Sequence, residues 1–390
     1  MNKFYEIAEK MQDETIKMRR ELHQMPEIGL EVEKTCDYVE GKLKEIGLEP
    51  VRYGNSGVSA IIDSGKEGKC ILLRADMDAL PMAEDNDLPF KATNGYAHTC
   101  GHDTHAAMLL SAAKILNENK DGFKGKVKLM FQSAEEIFKG SRFMIDQGIL
   151  ENPHVDAALA MHTSLDEEPG SFGYNLGYMT TSCDNFKINI VGKGSHGAYP
   201  HTAHDPIYAG VLLYTQFMEL ISREKDPNKV ATLTFGQFAA GSNSNIIPNE
   251  CVMQGTLRTY DPEVREYMKK RMADAVKAIE VLTQTKIEVD YFSGVPSLYS
   301  DPELTEFFAE TIKTNMPDLK AIKDNKIMAS EDMACVAEKV KTTYLMLNMK
   351  VNGCEAAHHN PKVLFNEDAL KYGTSMFAIC AMNYLNEFNK

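Results

Sequence analysis

Residues 70–81, CILLRADMDALP, begin with an apolar run that is followed by two aspartates, Asp76 and Asp78. A short, nearly continuous apolar run is typical of a strand that is buried on both faces of a sheet. The segments that follow alternate in type: THAAMLLSAAKIL predicts a helix, GKVKLMFQSAEE a strand, GSRFMIDQGIL a helix and VDAALAMHT a strand. Alternating helices and buried strands predict an α/β domain with a largely parallel sheet.

The pattern changes near Asp184. The segment NFKINIVGKGS alternates apolar and polar residues, as a half-buried strand does, and a helix, two strands, a second helix and the strand KIEVDYFSG follow it. This β-α-β-β-α-β order is typical of a ferredoxin-like unit. We therefore expect an α/β domain built from residues 1–183 and 295–390, with a smaller α+β domain, residues 184–294, inserted into it.

The composition is that of a globular protein with room for two domains: 390 residues, 43% hydrophobic and 25% charged. The net charge of −14 disfavours nucleic acid and anionic membranes as partners. The N-terminus lacks the apolar core of a signal peptide, and no apolar stretch is long enough to span a bilayer. None of the eight cysteines forms a CxxC pair, so we expect reduced thiols and a cytoplasmic location.

A cluster of candidate metal ligands lies in residues 97–108, AHTCGHDTHAAM, directly before a predicted helix. In an open α/β sheet, the functional crevice lies beyond the carboxyl ends of the strands. The predicted strands deliver further candidates to that edge: Asp76, Asp78, Glu135, Glu136 and His162. Thiolate, imidazole and carboxylate groups together suit borderline divalent ions such as zinc or manganese.

Two adjacent glutamates, Glu135 and Glu136, end one of these strands. On an extended segment, their side chains would point in opposite directions. One could then bind a metal while the other accepts a proton from a water. An acidic helix N-terminus, favoured by the helix dipole, explains the pair equally well.

Several segments resemble, in order, those of the M20 metallopeptidase superfamily: RRELHQMPEIGLEVEKT, LLRADMDALPM, HTCGHDTHAAM, VKLMFQSAEE, AMHT, GKGSHGAYPH, NIIPNECVMQGTLRTY, SEDMA and HHNPKVLFNEDAL. They extend from about Arg19 to Leu370 and look most like the amidohydrolase branch, which includes hippurate hydrolases, auxin-conjugate hydrolases and N-acyl-diaminopimelate deacetylases. The resemblance implies an α/β catalytic domain with a dinuclear metal site, and an inserted domain that serves as a lid and in dimerisation.

The resemblance also implies two divalent ions per subunit, zinc or manganese, with cobalt or nickel as alternatives. Their implied ligands are Cys100, His102, Glu136, His162 and a late histidine. The family motif His-x-Pro places that histidine at His359, with His358 as the alternative register. Glu135 matches the general base, and Asp76 and Asp78 match the motif whose carboxylate orients a ligand.

Three residues of the inserted domain match the family as well. His196, in GSHGAYP, matches a histidine that reaches the substrate carbonyl oxygen, often across a dimer interface. Asn245 and Arg258 match substrate contacts, and an arginine fork can bind a free α-carboxylate through two hydrogen bonds. The resemblance thus implies a homodimer, with a higher homo-oligomer as the alternative.

The predicted reaction is hydrolysis of an N-acyl or N-aroyl amino acid to a carboxylic acid and a free amino acid, with Glu135 as the base. A dipeptidase or an N-acetyl-diaminopimelate deacetylase would differ from it only in the pocket. Two other classes stay open: attack by Cys100 as a nucleophile with a histidine as base, and binding without catalysis. No motif constrains the pocket loops, so the acyl group, the amino acid and the physiological metal are not predicted.

Overall fold

The computed structural model describes residues 2–389. Its α-helices are α1 (Lys3–Lys10), α2 (Gln12–His23), α3 (Glu33–Glu45), α4 (His102–Glu118), α5 (Gly140–Asp146), α6 (Pro206–Glu219), α7 (Pro262–Thr283), α8 (Pro302–Asn315), α9 (Ala334–Ala337) and α10 (Leu370–Glu387). Its strands are β1 (Val51–Tyr53), β2 (Gly57–Asp63), β3 (Cys70–Asp76), β4 (Lys126–Gln132), β5 (Ala157–Ser164), β6 (Ser171–Tyr174), β7 (Gly177–Tyr178), β8 (Cys183–Val191), β9 (Ser195–His196), β10 (Ala231–Ala240), β11 (Ile246–Ile247), β12 (Glu250–Thr259), β13 (Lys286–Val295), β14 (Tyr299–Ser300), β15 (Lys320–Lys323) and β16 (Lys341–Asn348).

The chain divides into two compact units. The first contains the residues up to Met179, Tyr299–Lys326 and the residues from Asp332 onward, and the second contains Thr180–Leu298 and Ile327–Glu331. The range expected for the inserted domain, 184–294, lies within the second unit. The short segment Ile327–Glu331 also packs there, because the side chain of Tyr260 donates a hydrogen bond to the carbonyl oxygen of Ile327 at 2.9 Å.

An eight-stranded sheet forms the centre of the first unit, in the order β1-β2-β4-β3-β5-β16-β6-β15. The four central strands β4, β3, β5 and β16 run parallel, as the sequence predicts, and the antiparallel pairs lie on either side of them. All seven residues of β3 are buried, which explains its nearly continuous apolar sequence. Helix α10 is also buried on most of its surface and belongs to the same core as α4.

The parallel register brings the ends of these strands to the same level. Asp76, the last residue of β3, pairs with Gln132, the last residue of β4. Along the other side, His162 near the end of β5 pairs with Met346 of β16. Chemistry-bearing residues from three strands and from the loops after them can therefore meet at one edge of the sheet.

The second unit has the predicted β-α-β-β-α-β order, built from β8, α6, β10, β12, α7 and β13. Its antiparallel sheet has the order β10-β12-β8-β13, so β10 lies at an edge. Alternate residues of β8, including Phe186, Ile188 and Ile190, face a core that the two helices cover. Alternating burial with one covered face is what the alternating sequence of this strand predicts.

No helix among residues 2–389 combines the length and the apolar character that crossing a bilayer requires.

Candidate metal and catalytic site

Gly101 separates two candidate ligands, Cys100 and His102, at the start of α4. Its φ of +89° lies in the left-handed region, where glycine carries no steric penalty. A Cβ at this position would lie 2.9 Å from Oγ of Thr163 and 3.0 Å from the ring of Phe365. The tight turn therefore needs glycine, and it brings the thiol and the imidazole towards the same region.

The imidazoles of His102 and His162 are oriented in the same way, each by a main-chain carbonyl. Nδ1 of His102 lies 3.0 Å from the carbonyl oxygen of Asp78, and Nδ1 of His162 lies 2.7 Å from that of Thr163. Because a carbonyl oxygen only accepts hydrogen bonds, each Nδ1 donates, and in the neutral ring Nε2 keeps its lone pair. This is the arrangement that holds a histidine ready to bind a metal through Nε2.

Two groups of three potential ligands share Cys100. One contains Cys100, His102 and His162, the other contains Cys100, Glu136 and His359, and in each group the ligand atoms lie within 4.8 Å of one another. Within these groups, Sγ of Cys100 lies 3.4 Å from Nε2 of His162, and Nε2 of His359 lies 3.3 Å from Oε1 of Glu136. Two sets of soft and borderline donors around one thiol suit two divalent ions.

Unpaired polar atoms support a metal at this position. Among residues 2–389, Nε2 of His102 and Oε1 of Glu136 are buried and have no hydrogen-bond partner of ordinary geometry, although they lie only 4.0 Å apart. A buried polar atom without a partner destabilises the fold by about 1–3 kcal/mol. A cation bound by both atoms would satisfy them, so the residues present fit a divalent metal.

The charge balance of the site also favours a cation. Burial alone would lower the pKa of His102, but Asp76, Cys100 and Asp78 raise it well above its usual value. The neighbouring thiol of Cys100 and carboxylate of Glu136 raise the pKa of His359 to about 10. The anionic and thiol groups thus stabilise positive charge here.

Glu135 and Glu136 do not lie on an extended segment. Strand β4 ends at Gln132, and the glutamates form part of a turn in which Ala134 and Phe138 have positive φ angles of 56° and 54°. The expectation that their side chains diverge is therefore wrong. Both carboxylates approach His102, with the nearest ligand atoms of the three residues within 4.8 Å of one another.

The two late histidines have different partners. His359 has a φ of +62°, donates its backbone N–H to the carbonyl oxygen of Thr99 at 3.0 Å and contacts Glu136. His358 instead contacts Thr163, with Nε2 at 3.2 Å from its Oγ. The geometry favours the register in which His359 is the ligand.

The two aspartates also differ. Oδ1 of Asp78 lies 3.3 Å from Nδ1 of His102, and Oδ2 accepts the backbone N–H of Glu136 at 3.2 Å, so this side chain contacts two candidate ligands. Asp76 instead forms an ion pair with Arg74 at 2.7 Å and a hydrogen bond with His105 at 2.5 Å. Burial would raise the pKa of Asp76, but Arg74, His102 and His105 hold it well below its usual value.

A buried polar network that the sequence does not predict lies beside these residues. Nη2 of Arg74 donates to Asp332 at 3.0 Å, and the amide of Gln132 donates to both oxygens of the same carboxylate, at 2.7 and 2.8 Å. The backbone N–H of Asp332 in turn donates to Oε1 of Glu135 at 3.4 Å. An arginine inside a buried strand was the available signal, because a buried charge needs a partner.

The three remaining candidates lie in the second unit. His196 is exposed on β9, which pairs with β11, and the N–H of Gly197 donates to the carbonyl oxygen of Asn245 at 2.7 Å. Arg258, on β12, donates from Nη1 to Oγ of Ser330 at 2.8 Å. The structure therefore brings the segments of His196 and Asn245 together, whereas Arg258 has a separate partner.

Comparison with known proteins identifies the family. Residues 72–383 match Peptidase family M20/M25/M40, which covers most of the chain. The chain belongs to this family. The resemblance found in the sequence is confirmed, and membership makes the protein a hydrolase of amide bonds.

Relatives and solved structures agree with this assignment. N-acetyl-L-cysteine deacetylase of Bacillus subtilis is 35% identical over 92% of this chain and 85% of its own length. Hippurate hydrolase of Campylobacter jejuni is 34% identical over 99% of this chain and 100% of its own length. The YXEP protein of Bacillus subtilis, described as a dinuclear metal-binding peptidase of the M20 family, superposes with a TM-score of 0.84 at 29% identity, covering 97% of this chain and 99% of that one. The α/β fold is thereby confirmed, and the last likeness points to two metal ions.

The shared position of Cys100 generates a prediction about metal content. We expect Cys100→Ala to reduce bound metal at both ligand groups, and His162→Ala to reduce it chiefly at one, because His162 belongs to a single group. Cys251→Ala, a buried cysteine of the second unit, is the matched control and should keep the wild-type content. Elemental analysis by mass spectrometry of protein purified without chelator measures the content. Equal losses in the Cys100 and His162 variants would contradict a shared thiol.

Proposed function

We propose that this protein is a dimetal amidohydrolase that cleaves N-acyl or N-aroyl amino acids into a carboxylic acid and a free amino acid. The observation that carries the proposal is the position of Glu135. Its carboxylate lies in the same cluster as Glu136 and His102, and it is almost fully buried. A buried carboxylate beside a set of metal ligands is suited to accept the proton of an activated water.

In this mechanism, the ligands of the two groups hold the metals, which when bound would supply Lewis-acid activation of water and of the scissile carbonyl. Glu135 accepts the proton of the attacking water and returns it to the nitrogen of the leaving amino acid. The hydrogen bond from the N–H of Asp332 helps to fix the carboxylate of Glu135 for this transfer. Asp78 orients the imidazole of His102, and Asp76 acts from further away through His105.

The roles of the second-unit residues follow from the family resemblance. We assign to His196 a hydrogen bond to the substrate carbonyl oxygen, and to Asn245 a polar contact with the substrate. Arg258 is assigned to the free α-carboxylate, since its guanidinium can form paired hydrogen bonds with a carboxylate. Each of these three assignments stays a prediction.

The names of the relatives support the substrate class. N-acetyl-L-cysteine and hippurate, named in two relatives, are both amino acids that carry an N-acyl group and keep a free α-carboxylate. Their acyl groups differ in size, so the names do not select one acyl group for this chain. The ligand set of one thiol with imidazoles and carboxylates favours zinc or manganese, and cobalt or nickel are the alternatives.

The environment of Cys100 disfavours its use as a nucleophile. Burial and the neighbouring Glu136 raise the pKa of the thiol, whereas catalytic cysteines depend on a lowered pKa. Burial also lowers the pKa of His162, the imidazole at 3.4 Å from the thiol. A metal bound by Cys100 would displace the thiol proton and be held by the thiolate.

The proposed base is tested by Glu135→Gln, which keeps the size of the side chain and removes its capacity to accept a proton. We expect about two equivalents of bound metal, as in the wild type, and a loss of roughly 10²–10⁴-fold in kcat. Hydrolysis should be measured on N-acetyl, N-benzoyl and longer N-acyl amino acids, with dipeptides and N-acetyl-diaminopimelate as the competing substrate classes.

The matched control for the base is Glu168→Gln. Glu168 is an exposed glutamate in the loop after β5, so the same change of side chain there should leave activity at the wild-type level. Full activity of a metal-loaded Glu135→Gln protein would refute the assigned base.

We also propose that the chain forms a homodimer through its second unit. Helix α6 exposes an apolar face with Ile207, Val211 and Tyr214 at spacings of four and three residues, which places them on one side of the helix. Strand β10, at the sheet edge, adds the exposed ring of Phe238. An exposed apolar helix face next to an unpaired strand edge is typical of an association surface.

The dimer is tested by placing a charge on this face with Val211→Asp. We expect the variant to be monomeric because a carboxylate at the centre of an apolar interface is not compensated. Val281→Asp on α7 is the matched control, since Val281 is 81% exposed and its substitution should leave the mass unchanged. Mass measured by light scattering decides the matter. A wild-type protein that is a fully active monomer would contradict both the dimer and any action of His196 across it.

The cytoplasmic location stays a prediction. In its support, each of the eight cysteines between residues 2 and 389 is free in the structure, as expected in a reducing compartment.

A further inference from the structure

His105 lies beneath the candidate metal ligands and uses both of its ring nitrogens. It is fully buried, and the backbone N–H of Thr163 donates to its Nε2 at 2.9 Å. Because a backbone N–H can only donate, this nitrogen must be the acceptor, and the proton of the neutral ring lies on Nδ1. Nδ1 then donates to Oδ1 of Asp76 at 2.5 Å.

The acceptor of this hydrogen bond is itself held in place. Asp76 pairs with Arg74 through its other oxygen at 2.7 Å, and Arg74 also donates to Gln132 and Asp332. The position of His105 is thus determined by a buried network that joins β3 to β4. Although His105 lies close enough to Asp76 and His102 to form a potential ligand group, both of its nitrogens are already engaged.

Thr163, the residue that His105 anchors, contacts three segments that carry candidate ligands. Its carbonyl oxygen accepts from Nδ1 of His162 at 2.7 Å, and its hydroxyl donates to the carbonyl oxygen of Cys100 at 3.2 Å. Since the single hydroxyl proton is used in that hydrogen bond, the hydroxyl oxygen accepts a second one from Nε2–H of His358 at 3.2 Å. One residue therefore connects the end of β5, the loop before α4 and the loop that contains His359.

We propose that His105 is a positioning residue, which acts through Thr163 to hold His162 and Cys100 in the geometry that binds metal. This inference rests on the proposed dimetal site and adds to it a residue that binds neither metal nor substrate. The rings of His105 and His162 also pack edge to face, with centroids 4.6 Å apart, so the side chain limits the rotation of the ligand ring directly. The group containing Cys100, His102 and His162 depends on this support more than the group containing Glu136 and His359 does.

The test uses His105→Leu and His105→Gln in the full-length protein, loaded with cobalt(II) as the probe metal. Leucine keeps the bulk of the side chain but neither hydrogen bond, whereas the amide of glutamine keeps one donor and one acceptor. We expect His105→Leu to bind one of its cobalt equivalents roughly 10–100-fold more weakly and to shift the visible absorption bands of the bound ion. His105→Gln should recover most of the affinity and the wild-type bands, which a role in packing alone would not produce.

A second variant keeps the inference testable if His105→Leu does not fold. Thr163→Val removes the hydroxyl that contacts Cys100 and His358. It should shift the same cobalt absorption bands and weaken the binding of the same cobalt equivalent. Thr305→Val is the matched control because Thr305 is equally buried and its hydroxyl lies 3.0 Å from that of Thr343, on α8 and β16. That control should leave the bands unchanged.

The outcomes separate the inference from the function on which it rests. Wild-type affinity and spectra in both His105→Leu and Thr163→Val would overturn the positioning role while leaving the dimetal site intact. A wild-type protein that binds no cobalt would overturn the proposed function and this inference together. Equal disturbance in Thr305→Val would also overturn the inference, because it would show that any buried hydroxyl has the same effect.

Discussion

Four parallel strands end at one edge of the large sheet, and the candidate metal site depends on that register. Asp76 and Gln132 end neighbouring strands at the same level, and His162 lies near the end of the next strand. The turn with Glu135 and Glu136 follows one of these strands. The loop with His359 follows β16, which ends at Asn348. A shift of one residue in any of these pairings would turn the side chains to the other face of the sheet.

The site combines groups that are unfavourable to bury with a supporting network that fixes them. Cys100 and His102 are buried and Glu136 is partly buried, and among residues 2–389 neither Nε2 of His102 nor Oε1 of Glu136 has a hydrogen-bond partner of ordinary geometry. Around them, main-chain carbonyl oxygens orient His102 and His162, and Arg74 holds Asp76 through an ion pair. Such a site suits a cation, because an ion bound by both atoms would supply the interactions that they lack.

Much of the fold follows from local sequence patterns. The apolar patterns of the buried strands, of α4 and of the second unit indicate which residues are buried. The need for glycine at position 101 follows from the turn between two ligands. The short strands β6 and β15 were missed, since four residues are too few to show a period. The sequence also predicts extended backbone at Glu135, where the structure has a turn, because nothing in the sequence marks the positive φ of Ala134.

The candidate ligands could be named from the sequence, whereas their support could not. Cys100 and His102 are close in the chain and share a motif, but Arg74 and Asp332 are 258 residues apart and meet only in the folded structure. Two of the hydrogen bonds of Thr163, with His105 and His162, are made by its main chain, which any residue type could form. Contacts of these two kinds leave little trace in a single sequence.

The most direct test of the dimetal mechanism is to remove the metal with a chelator, restore it stepwise, and measure bound metal and hydrolysis on the same samples. With an N-acetyl and an N-benzoyl amino acid as substrates, the mechanism predicts that turnover disappears with the metal and returns as about two equivalents are bound. Turnover that persists in protein shown to be free of metal would contradict it and would favour Cys100 as the nucleophile.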